Sequence, residues 1–296
     1  MADRPRCILL HPGFHKTGTS AIQHFLWVNR ERLAPHAGLL MLRHLNEAAR
    51  AVQHFSRHAN PLALIDLAEA LDRAVAAQLP PGDGRDLVVS CEALSGHLPG
   101  WPGVVDWRAV PPVAAVLAGL FAERVPGAEI RLVYTTRAPA AWLDSAWRHH
   151  LLGQRLRMDA ETFAAAHASA ADLDAVVAEA ASAVAQSGAE NGVESGSGGA
   201  ETFVLPLEEA ATHPQGPGGA LLELIDLPEP VRASLVAVGA DNAGPDAALA
   251  AALLAINRSN LSDGEARARR AALARSAGLT GWGAAPVAPP GAATAP

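Results

Sequence analysis

An α/β fold with a mostly parallel sheet covered on both faces is what this sequence predicts, and three observations carry the prediction. Short runs such as Cys7-Ile8-Leu9-Leu10 and Leu87-Val88-Val89-Ser90 are apolar without polar alternation, the mark of strands buried on both faces. Stretches with apolar residues three and four apart lie between them, as covering helices require. Proline and glycine clusters punctuate each change from one to the other.

The first strand, Cys7 to Leu10, leads into "HPGFHKTGTS", His11 to Ser20. Thr19 or Ser20 opens a helix in the stretch Ala21 to Leu33, whose apolar positions Ile22, Phe25, Leu26 and Leu33 fall on one face. Pro61 to Leu79 reads as a second helix, with Leu64, Leu67, Ala68 and Leu71 as its core-facing stripe, and "PPGDGRD" ends it. After the strand Leu87 to Ser90 comes a helix over Pro111 to Val125, entered through two prolines and left through "PGAE". Ile130 to Thr135 is the third strand, and the helix after Pro139 runs to about Leu152. A helix near Asp172 to Ala185 and a fourth strand, Thr202 to Leu205, continue the alternation. Asp246 to Ile256 and Asp263 to Ser276 also read as helices, the second with four arginines on a solvated face. Gln186 to Glu201, rich in Gly and Ser, reads as a flexible loop within a single domain spanning 1–282, and Gly283 to Pro296 as a disordered Ala/Pro tail.

Composition narrows the function classes. With 296 residues, 50% of them hydrophobic, the chain can bury a large core. A net charge of −7 argues against a general nucleic-acid or anionic-membrane binder, so an anionic ligand must meet locally concentrated positive charge. Cys7 and Cys91 sit beside buried strands and read as reduced thiols. The N-terminus shows no signal-peptide h-region and no segment offers eighteen uninterrupted apolar residues, so a cytoplasmic protein without a membrane span is expected. No Cys or His cluster has metal-ligand spacing, and His149-His150 lacks a partner set; no metal is expected.

Lysine is almost absent: of 23 basic residues, Lys16 is the only lysine, and it sits in the loop between the first strand and its helix. In a parallel sheet the strand carboxyl ends form the ligand-bearing edge, and a helix starting there turns unpaired N–H groups and its positive dipole end outward. Gly13 and Gly18 allow the backbone to curl towards an anion, Thr17, Thr19 and Ser20 add hydroxyls, and Lys16 adds a mobile charge. The spacing departs from the Walker A pattern, because Lys16 precedes the second glycine. A second constellation follows the third strand: in "TTRAPAAWLDSAW", Arg137 leaves the strand end and Ser145 lies two turns into the next helix. Both can face one pocket.

"HKTGTS" after a first strand resembles the 5′-phosphosulfate loop of the sulfotransferases that use 3′-phosphoadenosine 5′-phosphosulfate, and Arg137 with Ser145 resembles their 3′-phosphate motif. The late strand "TFVLPLEE" adds to the likeness, which covers the first two-thirds of the chain. The resemblance implies a P-loop-NTPase-like three-layer α/β/α fold and sulfuryl transfer without a metal to a hydroxyl or amine acceptor, a carbohydrate or small metabolite. By the same resemblance His15, Lys16, Thr17, Gly18, Thr19, Ser20, Arg137 and Ser145 bind the donor, and Lys16 is catalytic. A compact ammonium can follow charge from terminal to bridging oxygen, whereas a guanidinium imposes a fixed fork. Glu92, just beyond the second strand, is the first choice of general base; His15 and His97 compete with it. Arg258, in "AINRSN", is a further basic residue that related enzymes bring towards the nucleotide.

Two other classes stay open. A P-loop nucleotide kinase-like enzyme shares the strand–loop–helix start but calls for an aspartate at a later strand end, and Leu87 to Ser90 ends without one. A non-catalytic nucleotide-binding protein keeps the pocket and loses the base. Acceptor-shaping segments are expected at Arg43 to Asn60, Gly96 to Asp106 and Gly153 to Ala170; Arg43, Arg50 and Arg57 recur every seven residues there. Trp142 and Trp147 read as packing residues.

Overall fold

A computed structural model of the chain describes residues 6–80, 82–190, 199–239 and 244–279. Its elements begin with β1 (Cys7–His11), α1 (Thr19–Val28), α2 (Arg30–Leu33), β2 (Ala37–Met41), α3 (Asn46–His58) and α4 (Leu62–Gln78). They continue with β3 (Asp86–Ser90), α5 (Val110–Arg124), β4 (Glu129–Thr136), α6 (Pro139–Gly153), α7 (Ala160–Ala166), α8 (Leu173–Glu190) and β5 (Ala200–Pro206). After these come α9 (Leu207–Ala210), α10 (Gly216–Leu222), α11 (Glu229–Ser234), α12 (Ala247–Arg258) and α13 (Asp263–Ser276).

The five strands form one sheet in the order β2-β3-β1-β4-β5, and every neighbouring pair is parallel. β1 is central, with Leu9 opposite Val88 on one side and Arg131 on the other. Every residue of β1 and of β3 is buried, which their apolar runs anticipate. Cys7 and Leu9 point to one face, where Ile22, Phe25 and Leu26 of α1, Leu33 of α2 and Leu221 and Leu222 of α10 pack on them. On the opposite face α4 lies against β2 and α5, and α5 against β4 and α8. Cys7 and Cys91 are both buried thiols, and burial pushes the Cys91 thiol up to about 12.

Several expectations are corrected. The sheet has a fifth strand, β2, which Ala37 and Gly38 disguise through their weak strand propensity; pairing of Gly38 with Leu87 and Leu39 with Val88 supplies what the sequence lacks. Arg43 to Asn60, one of the expected acceptor-shaping segments, is mostly the helix α3. Helix α8 runs on to Glu190 and β5 begins at Ala200, so both ends of the expected loop Gln186 to Glu201 are regular, and 191–198 lie outside the described residues. The expected tail, Gly283 to Pro296, also lies outside them. No helix among the described residues is long and apolar enough to cross a membrane.

Contacts gather into two units, Met1–Ala146 with His167–Asn242, and Trp147–Ala166 with Ala243–Pro296. The first holds the sheet. Within the second, buried Asn257 donates to the Leu151 carbonyl at 3.2 Å and accepts from Arg270 at 2.8 Å. Arg270 is therefore interior, a correction to the solvated reading of all four α13 arginines; Arg267, Arg269 and Arg275 are exposed. Ser262 and Glu265 close a capping box at the start of α13.

Candidate functional site

Because all five strands run the same way, the segments after β1, β3, β4 and β5 come out at one edge of the sheet. The loop after β1 is the centrepiece. Its conformation is unusual: Lys16 has φ 73° and Gly18 φ 86°, both left-handed. Glycine tolerates that region; lysine is strained there by roughly 1–2 kcal/mol. At Gly18 a Cβ would come 2.5 Å from Leu207 Cδ1 at the start of α9, a side-chain end that can move aside, so it is the backbone angle that calls for glycine.

Four successive carbonyls of the loop are each held by a side chain. Ser95 Oγ donates to Gly13 O, and Thr17 Oγ1 donates to Phe14 O at 2.7 Å. Trp142 Nε1 donates to His15 O at 3.0 Å and Arg137 Nη1 to Lys16 O at 3.2 Å. The amide N–H groups of Thr17, Gly18, Thr19 and Ser20 have no acceptor among the described residues. With its carbonyls tied down and these donors open at the N-terminus of α1, the segment is a preorganised cradle for an anion. No acidic residue sits in the first turn of α1 to oppose one.

Beneath the loop runs a buried polar network. His11, fully buried at the end of β1, contacts Ser90 Oγ at 2.9 Å through Nδ1 and Thr135 Oγ1 at 3.4 Å through Nε2. Thr135 in turn meets Thr17 Oγ1 at 2.6 Å. Burial pushes the His11 imidazole down to about 4, so it is neutral at pH 7. Thr17 is fully buried and its hydroxyl belongs to this network, so towards a ligand it offers its N–H and not the hydroxyl the sequence suggested.

The remaining candidates fall as follows. Lys16 is half-buried; desolvation, then the Arg137 charge, lowers its pKa, against a raising influence from Glu92. Lys16, Arg137 and Glu92 are thus electrostatic neighbours. Glu92 opens a 3₁₀ turn after β3, and its Oε2 accepts from Gln23 Nε2 of α1. Thr19 is buried and Ser20 exposed. Ser145 is half-buried on α6 and its hydroxyl has no partner among the described residues. His15 donates from Nε2 to the Gly96 carbonyl at 2.9 Å and its ring stacks on Trp107, contacts that fix the ring's orientation. His97 lies parallel to Trp101, 5.5 Å between centroids, and burial with help from Arg57 and His15 lowers it to about 4. Arg258 donates to Arg157 O and to Asp159, partners within its own unit.

The sequence reading missed Gln23 and the network of His11, Ser90 and Thr135. A signal existed: each of three apolar strands ends on a polar residue, and polar residues buried at strand ends call for one another. Trp142, expected to pack, is fully buried and also anchors the loop through its indole N–H. Among the described residues no three His, Cys, Asp or Glu side chains are grouped to hold a metal ion. No family model, no curated protein and no solved structure matches this chain.

Proposed function

We propose that the protein is a sulfotransferase that takes a sulfuryl group from 3′-phosphoadenosine 5′-phosphosulfate and passes it to a hydroxyl or amine acceptor, on a fold of the P-loop type. One observation carries the reading: open N–H groups at Thr17 to Ser20, with Lys16 bent into a left-handed conformation beside them and Arg137 bound to its carbonyl. The residues fit the donor. The cradle suits its 5′-phosphate, and Arg137, which reaches the Lys16 carbonyl, with Ser145 two turns into α6, suits its 3′-phosphate.

In this reading the acceptor oxygen or nitrogen bonds to sulfur as the bond from sulfur to the bridging phosphate oxygen breaks. Lys16 meets the charge released onto that bridging oxygen, where a cation favours the transition state over the ground state. Its desolvated surroundings strengthen the interaction. Glu92 accepts the acceptor's proton, with Gln23 orienting its carboxylate.

Thermal shift with adenosine 3′,5′-bisphosphate, with ATP and with ATP plus magnesium tests the donor class. Stabilisation by the bisphosphate alone is expected; preference for ATP with magnesium would replace this reading with a kinase-like one. Lys16→Ala and Lys16→Arg should each lose at least a hundredfold in turnover while retaining bisphosphate binding in part. Near-normal turnover by Lys16→Arg would remove Lys16 from its role.

A further inference from the structure

His54 and His58 stand four residues apart at the carboxyl end of α3. On a helix that spacing sets two side chains on one face, one above the other. Their rings lie 4.7 Å apart between centroids and are inclined at 45°. Both residues are exposed, whereas Ser56, midway between them, is buried on the other side of the helix, where its Oγ accepts the His97 N–H at 3.2 Å. The two imidazoles therefore look outward together, and neither ring has a hydrogen bond or ion pair among the described residues.

Two imidazoles held in this way form a chelate. Each neutral ring offers one nitrogen lone pair to a cation, and because one helical turn fixes both, the second bond forms as an intramolecular step. A metal about 2.0–2.1 Å from one nitrogen of each ring places the two ring centres roughly 5 Å apart. The 4.7 Å separation in α3 fits that requirement. His58 is the last residue of α3, where the carbonyl end of the helix favours positive charge. Two charges oppose it. Arg57 adjoins the pair, and Arg50 lies one turn upstream on the same face, with its Nε turned to the Asn46 carbonyl at 3.2 Å.

The donor set selects the cation. Nitrogen ligands suit first-row transition metals and zinc, whereas magnesium and calcium call for oxygen. No third His, Cys, Asp or Glu joins the pair among the described residues, so water completes the coordination shell. In the sequence this spacing acquires meaning only once the segment is known to be helical, because in an extended chain the same two rings stand far apart. We propose that His54 and His58 form a two-imidazole site for a first-row divalent cation of the Zn²⁺ or Ni²⁺ type. The site stands whether or not the sulfuryl-transfer reading does.

Calorimetry on the untagged full chain with Ni²⁺, with Zn²⁺ and with Mg²⁺ is the test. Ni²⁺ and Zn²⁺ should bind and Mg²⁺ should not. His54→Gln and His58→Gln should each weaken Ni²⁺ binding on the order of tenfold, and the double variant should bind no more weakly than either alone. That pattern belongs to a chelate, since losing one nitrogen already ends it; two independent imidazoles would lose binding in two separate steps. Ni²⁺ should also raise the melting midpoint of the parent and leave those of the variants unchanged. Metal-free melts of parent and variants should coincide, because both positions are exposed, which keeps unfolding apart from loss of a ligand. A parent that binds neither Ni²⁺ nor Zn²⁺, single variants that bind as the parent does, or a stepwise loss in the double variant overturns the proposal.

Discussion

Lys16 occupies a backbone conformation that lysine disfavours, and it does so in the loop where the chain's single ammonium meets a guanidinium. Strain at one residue persists only where surrounding contacts over-determine it, and here the Lys16 carbonyl is held by Arg137 and the His15 carbonyl by Trp142. Replacing Lys16 by glycine removes the Cβ penalty and the repulsion by Arg137, which together outweigh the lost attraction to Glu92. Lys16→Gly is therefore expected to raise unfolding free energy by about 1–2 kcal/mol and, under the proposed sulfuryl-transfer role, to eliminate turnover. Denaturant melts beside a donor-product assay would check this; a Lys16→Gly protein less stable than the parent would show that the ammonium, not the fold, holds the loop.

At the scale of elements, the loop after β1 takes its shape from the strands beside it. His11, Ser90 and Thr135 come from three adjacent strands, and the parallel register sets His11 next to Ser90. Thr135 is the joint, since its hydroxyl touches both His11 and Thr17. Thr135→Val keeps the volume and deletes the joint, leaving two buried polar groups short of a partner at a cost of roughly 1–3 kcal/mol. Under the proposed donor reading, bisphosphate affinity should also fall on the order of tenfold, because Thr17 keeps its bond to the Phe14 carbonyl but loses its tie to the sheet. Thr135→Ser, which restores the hydroxyl, should recover most of the affinity; a loss of stability without loss of affinity would separate the network from the cradle.

For the whole molecule, the buried histidines set the response to acid. His11 and His97 are both held near 4 in the fold, against about 6.5 for a free imidazole. Unfolded chains take up protons below about pH 6.5 that the folded chain refuses until about pH 4, so stability falls as pH drops through that window and returns as pH rises. For His11 alone the loss between pH 7.5 and pH 5 is about 2 kcal/mol. Denaturation midpoints at the two pH values, compared with those of His11→Asn, give the test: the variant should show a shallower decline, and an equal decline would exclude His11 as its source.

Much of this architecture was written in local sequence. The apolar runs at Cys7, Leu87 and Ile130 gave strands because a run without polar alternation can be satisfied only between two covering layers. Lys16, Gly18 and the hydroxyl-rich turn marked the loop whose N–H groups stand open at the start of α1, because glycine and hydroxyl residues between a strand and a helix let the backbone turn sharply there. What the tertiary structure alone decided is partnership across long separations. β2 is a strand by virtue of β3, the Thr17 hydroxyl faces inward by virtue of Thr135, and Arg270 is interior by virtue of Asn257. The physical reason is that periodicity reports which face of a segment seeks burial, whereas a hydrogen bond or an ion pair depends on which distant groups arrive at that face, and only the folded chain fixes their arrival.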